Sequence, residues 1–289
     1  MKRWYLSMVW MSLGLLAGVT HAQSVKKTAE ASMLVTGSIE VNPDGSLHGY
    51  TIDEQEKLPP VVVDVMNKSV PHWQFKLSSP TTQIVKTHMS VRLVAKPTGD
   101  GNYRVAVEGA SFSDGGKNDA NVSSKDRVSP KYPSLAVGAR VSGTVYLLLR
   151  VGRSGTVEDA IAEQVNLEQY ASRTDMDKFR KALADASLDA ARQWTFNPPS
   201  QGSTVNDPYW VVRVPVAFSL NIGGMPLKDH RYGKWDAYIP GPRETAPWAS
   251  KDLLAESPDA LPDGALRTGN SGLVLTTPLG GVSASGSSD

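Results

Sequence analysis

The chain has no cysteine among its 289 residues. Disulfide frameworks, thiolate zinc sites, iron–sulfur clusters and cysteine nucleophiles are therefore excluded. It also lacks an excess of either charge: 30 basic against 29 acidic side chains leave a formal net charge of +1, so the electrostatic footprint of a nucleic-acid partner is missing. The five histidines, at positions 21, 48, 72, 88 and 230, show no paired metal-ligand spacing, and there is no His-Glu-x-x-His. Walker and dinucleotide-binding glycine patterns are absent, and the polar run from Asp114 to Asp119 lacks the alternation and closing Glu of a calcium loop. Gly269-Asn270-Ser271-Gly272 has the spacing of a serine-nucleophile loop, but no histidine stands in a catalytic setting; it reads as a turn. No catalytic residue, metal or cofactor is expected.

Long apolar runs are missing too, except at the start. Lys2 and Arg3 precede an apolar run over residues 4–19, followed by Thr20, His21, Ala22 and Gln23. This is the pattern of a secretory signal peptide over residues 1–22, which would place the mature chain in an extracytoplasmic space. An uncleaved inner-membrane anchor is the alternative, although a run broken by Ser7 and Ser12 falls short of the ~20 residues that cross hydrocarbon comfortably.

Length suggests about two domains. Residues 113–129 carry almost nothing to bury and read as the linker between a first domain over 31–112 and a second over 130–224. From residue 225 to 289, seven prolines and a Ser/Gly-rich end displace periodic patterns, so this tail reads as mostly irregular. Its Trp235, Tyr238 and Trp248 would anchor it on a neighbouring domain or mark a partner-binding peptide.

The second region is the clearer. Val145, Leu147, Leu149 and Val151 share one strand face and Thr144, Tyr146, Leu148 and Arg150 the other. Glycines at 152 and 155 make a hairpin turn, and a second strand runs through Ile161. Thr174 is the expected helix cap, with Met176, Phe179, Leu183, Ala186, Ala190 and Trp194 at helical steps up to Asn197-Pro198-Pro199. A third strand alternates Val212, Val214, Val216 and Phe218 with Arg213, Pro215 and Ala217. Proline has no amide proton, so this strand is expected at a sheet edge, open to a guest strand or blunted against one.

The first region follows the same plan. Val35-Thr36-Gly37-Ser38-Ile39 parallels Val141-Ser142-Gly143-Thr144-Val145, Asp44-Gly45-Ser46-Leu47 parallels Ser154-Gly155-Thr156-Val157, and Trp73-Gln74-Phe75 parallels Trp194-Thr195-Phe196. Between them Pro59-Pro60 opens a helix carrying Val62, Met66 and Trp73, and strands follow over Met89, Val91, Leu93, Ala95 and over 103–112. The matched order points to a duplicated unit. The fold class expected is α+β: two tandem small domains, each an antiparallel sheet packed against one or two helices.

Tyr132-Pro133, Gly143-Thr144-Val145, Gly155-Thr156-Val157, the helix running into Ala190-Ala191-Arg192-Gln193-Trp194-Thr195-Phe196-Asn197-Pro198, and the last strand together resemble a TonB C-terminal domain, over roughly residues 130–222. The first region would be a degenerate second copy. The resemblance implies a periplasmic, noncatalytic energy transducer that takes the TonB box, an extended peptide of an outer-membrane TonB-dependent receptor, by edge-strand addition. The matching contact residues here are Val211, Val212, Arg213, Val214, Pro215, Val216, Ala217 and Phe218. Inner-membrane motor proteins would be further partners if the leader stays uncleaved, and edge pairing would also allow a homodimer. The long proline-rich spacer of such transducers is lacking, so a non-energised structural or adaptor protein of the envelope is the second reading.

Overall fold

The computed structural model describes residues 30–77, 79–99, 102–113, 121–220, 232–269 and 272–287. The expected leader lies outside them, as do parts of the expected linker and tail. The protein is α+β, with mostly antiparallel strands and few helices.

The first unit comprises β1 (Glu30–Val41), β2 (Leu47–Ile52), α1 (Pro60–Ser69), β3 (Phe75–Leu77), β4 (Val85–Gly99) and β5 (Asn102–Ser113). Along β1 the burial alternates, so Met33, Val35, Ile39 and Val41 enter one core with Val62, Val65 and Met66 of α1. Trp73, Phe75 and Phe112 close that core edge to face, with ring centroids 5.2–6.3 Å apart. Pro60 occupies the first helical turn, where a missing amide proton costs nothing.

The second unit comprises β6 (Ser123–Asp126), α2 (Ser134–Gly138), β7 (Gly143–Gly152), β8 (Val157–Leu167), α3 (Arg173–Ala191), β9 (Thr195–Asn197) and β10 (Tyr209–Phe218). Val145, Leu147, Leu149 and Val151 face Met176, Leu183, Ala190 and Trp194 in a second core. The α3 cap is Ser172 rather than Thr174: its hydroxyl accepts the Asp175 amide at 3.2 Å, starting the helix at Arg173. Residues 121–129, read from sequence as linker, are tied into this unit. Val122 is buried in its core, β6 pairs with β9, and the Trp194 indole donates to the Val128 carbonyl at 2.7 Å.

The two hairpin turns are built alike. Gly45 and Gly155 have φ of 86° and 81°, and a Cβ on either would collide with the carbonyl oxygen of Phe75 or Phe196 respectively. The amides of those phenylalanines donate back to the same glycines, both at 2.8 Å.

The tail departs most from the sequence reading. It carries β11 (Asp236–Tyr238), α4 (Lys251–Ala255), β12 (Arg267–Thr268), β13 (Leu273–Leu275) and β14 (Ser283–Ser287). These short strands extend the two sheets in the orders β11-β1-β4-β5-β14, with β2 also on β1, and β12-β10-β7-β8, while β13 pairs with β3. Trp235 packs on the first core, and Trp248 joins Leu148, Val211 and Leu253 on the second face of β7. That strand is consequently buried on both faces, as its Leu147-Leu148-Leu149 run permits. Two-residue strands have no periodicity to read; main-chain pairing forms them whatever the side chains. Among the described residues no helix is long and apolar enough to cross a membrane.

Leu253 of the tail is 1% exposed and packs on Leu148 and Val211 of the second unit. Leu253→Ala is expected to lower unfolding free energy by about 2–4 kcal/mol in urea denaturation. A loss below about 0.5 kcal/mol would mean that the tail is not seated there.

Candidate functional site

The expected docking strand, β10, pairs along its whole length with β7, from Tyr209 opposite Gly152 to Phe218 opposite Gly143. Its other margin carries the question. The Val211 carbonyl accepts the Gly269 amide at 2.8 Å, so by antiparallel alternation the main-chain groups of Val211, Arg213, Pro215 and Ala217 point to this margin. Pro215 thus sits where its missing N–H leaves the β7 ladder intact. This is the physical reason a proline is tolerated in the strand.

The margin is not open along its length. Val212 stands opposite Thr268 and Arg213 opposite Arg267, so the chain's own β12 occupies the first part of the expected guest site. The expectation of an unpaired edge is corrected for Val211, Val212 and Arg213. Val212, Val214, Val216 and Phe218 project into the second core, Val211 packs on Leu148 and Leu253, and Pro215 is buried as well. Ala217 alone of the eight residues is exposed.

Arg213 anchors a buried ion network that sequence reading missed. Its Nε and Nη2 donate to the Glu163 carboxylate at 2.6 and 2.8 Å, and Nη2 also donates to the Leu253 carbonyl at 2.8 Å. Glu163 has no exposed surface, and takes further bonds from Arg243 Nε and Nη2 at 3.0 and 2.6 Å. Arg243 Nη2 reaches the Glu256 carbonyl at 2.9 Å, and Arg267 pairs with the Glu256 carboxylate, its Nε at 2.9 Å. Two tail residues, Arg243 and Glu256, therefore contact the Arg213–Glu163 pair on the sheet of the second unit, and Arg267 joins through Glu256. The available signal was Arg213 itself: a charge between valines on a strand must find a counter-charge if it is buried.

The outer margin of β8 is held by the tail in the same manner. Ile239 exchanges both main-chain bonds with Leu167, at 3.1 and 2.7 Å, and the Glu244 amide donates to the Glu163 carbonyl at 2.7 Å. Arg180 of α3 holds the carbonyls of Val165 and Pro240 at 3.2 and 3.3 Å. Burial opposes its charge, while nearby Asp177 favours it.

No family model matches the chain, and no solved structure does. Among curated proteins, Protein TonB from two strains of Xanthomonas campestris pv. campestris is 39% identical over 103 residues, which is 35% of this chain and 39% of those relatives. Protein tonB2 of Pseudomonas aeruginosa is 29% identical over 102 residues, 35% of this chain and 33% of the relative. The resemblance to TonB C-terminal domains is supported over that length. The chain thus spans well under half of the TonB proteins it matches, and the match is about the size of one of its two units.

Replacing Glu163 by Gln would leave Arg213, 1% exposed, facing a neutral amide. With only Glu256, 3.8 Å away, left to balance it, the loss is expected to cost about 2–4 kcal/mol, measured by urea denaturation at neutral pH. A change within 0.5 kcal/mol, roughly that of a surface substitution, would contradict the network.

Proposed function

We propose that this chain is a noncatalytic, TonB-like protein of the periplasm that docks an extended peptide of TonB-box type, from an outer-membrane receptor, along the β10 margin in energy-linked transport. The similarity to TonB proteins supports the general role. The observation that carries the mode of contact is that the margin already takes an added strand, Arg267–Thr268, by main-chain pairing. On this reading the tail is a resident strand that a receptor peptide displaces or extends beyond, toward Val214–Phe218. Coupling to inner-membrane motor proteins belongs to this role if the leader remains as an anchor. The first unit is read as a degenerate copy serving as scaffold, and a homodimer formed by edge pairing would compete for the same main-chain groups.

One observation favours the second reading, a non-energised structural or adaptor protein of the envelope. Seven of the eight expected contact residues are buried beneath the protein's own chain.

The two readings separate on a titration. Gly269→Pro removes the amide that holds the Val211 carbonyl. Receptor N-terminal peptide added to this variant is expected to bind at least about tenfold more tightly than to the unaltered chain, with amide shifts concentrated at Val211–Phe218. Absence of shifts in both proteins at millimolar peptide would reject docking and leave the adaptor role.

A further inference from the structure

Exposed apolar side chains in this molecule are gathered rather than scattered. Among the described residues five large ones stand well out of the cores, and three of them, Val128, Leu135 and Val137 at 53, 50 and 45% exposure, lie close together in the chain on the second unit. A single exposed Leu needs no explanation, but a group of apolar side chains on one surface marks a contact site. On α2 only Ala136 is buried, so Leu135 and Val137 flank it on the outside. Tyr170, another of the five, follows Gln169, whose side-chain oxygen accepts the Ser142 amide at 2.6 Å just beyond α2.

The same stretch is basic. Residues 121–142 carry Lys125, Arg127, Lys131 and Arg140 against Asp126 alone, in a chain whose total charge is +1. All four cations are exposed, and none is paired with a carboxylate among the described residues. Arg127 stacks over the Trp194 ring, 5.8 Å from its centroid, and reaches the Gly264 carbonyl at 3.5 Å. Glu168, near Tyr132, is engaged elsewhere. The adjacent helix α3 behaves differently: its Lys178, Lys181 and Arg192 each meet an Asp one turn away.

Arg140 supplies the independent observation. It closes α2 with a φ of 54°, the left-handed position of a C-terminal cap at which glycine is the ordinary residue. Its amide donates to the Val137 carbonyl at 3.1 Å and the Val141 amide to the Ala136 carbonyl at 2.9 Å, as such a cap requires. A side chain there strains the backbone, and this one has no hydrogen-bond or ion-pair partner among the described residues. No contact within the fold offsets the strain. What arginine adds at this position is outward charge beside Leu135 and Val137.

We propose that this face docks on an anionic phospholipid surface, with Val128, Leu135 and Val137 entering the headgroup boundary and Lys125, Lys131 and Arg140 meeting the phosphates. An acidic protein segment would answer the cations and leave the aliphatic side chains in water, whereas a bilayer surface answers both. The face shares no residue with the β10 margin, and its test uses no peptide.

Residues 23–289, the form expected after leader cleavage, contain every described residue. In vesicle flotation this form is expected to partition at least about tenfold more strongly onto phosphatidylcholine vesicles carrying about 30% phosphatidylglycerol than onto phosphatidylcholine alone, and to lose most of that preference in about 1 M salt. Arg140→Gly should keep or raise the melting temperature while weakening the partition about fivefold, and Lys131→Gln combined with it should weaken the partition at least about tenfold. Leu135→Ser should weaken it too, which a purely ionic contact would not show. Equal partition onto both vesicles, or unchanged partition in the double variant or in Leu135→Ser, would overturn the proposal. Retention on soluble polyglutamate without vesicle binding would also overturn it and assign the face to an acidic protein segment.

Discussion

A carboxylate with no exposed surface survives as an ion only where opposite charge and hydrogen bonds replace the water it has lost. Glu163 receives both from Arg213 on its own sheet and from Arg243 on the tail, and this requirement fixes the position of the tail. The pairing of β12 with β10 sets Arg267 directly across from Arg213, a like-charge pair that would by itself push the strands apart. Glu256 removes the conflict: it pairs with Arg267 and stands 3.8 Å from Arg213. Buried ion pairs are a poor source of net stability compared with apolar replacements. What this one contributes is register, since a slip of β12 by one residue would move Arg267 to the opposite face and away from Glu256.

The parts of the fold that were legible in the sequence are those with a period. Alternation exposed β7 and β10, three- and four-residue steps exposed α3, and paired glycines exposed both hairpins. Even there the helix cap was displaced by two residues, because Ser172 and Thr174 offer the same hydroxyl chemistry and only geometry chooses. The second face of β7 was harder. Leu148 is apolar enough to be covered, but nothing in its spacing says by what, and the cover turned out to be α4 and its surroundings, from a segment that reads as irregular. Pro215 gave the right edge and the wrong occupancy: the proline marks where a main-chain donor is dispensable, and that condition holds whether the margin is open or filled from a distant segment.

The two units repeat each other at the level of single atoms, beyond the order of their elements. In each, a glycine of positive φ brings the turn against a phenylalanine carbonyl and receives that residue's amide, and a buried tryptophan stands two residues earlier, Trp73 before Phe75 and Trp194 before Phe196. A side chain at either glycine would part the hairpin from the strand that follows the helix. The geometry therefore constrains those positions independently in each unit. Beyond that plan the units differ, since β5 continues the first sheet where β12 caps the second.

Sheet margins carry unpaired main-chain groups, and proteins cover or blunt them. Here one segment serves five of them, with β11 on β1, β12 on β10, β13 on β3, β14 on β5 and Ile239 on β8. This arrangement has a consequence for any peptide that would add at β10. An intramolecular strand competes at an effective concentration of millimolar order, without the translational loss that an incoming peptide bears. If the tail is seated in all but a fraction f of molecules, the apparent dissociation constant rises by 1/f. A peptide with ordinary main-chain affinity would then bind measurably only where the tail has been loosened. The ion contacts that tie the tail to the sheet, Arg243 on Glu163 and Glu256 on Arg213, set how small that fraction is.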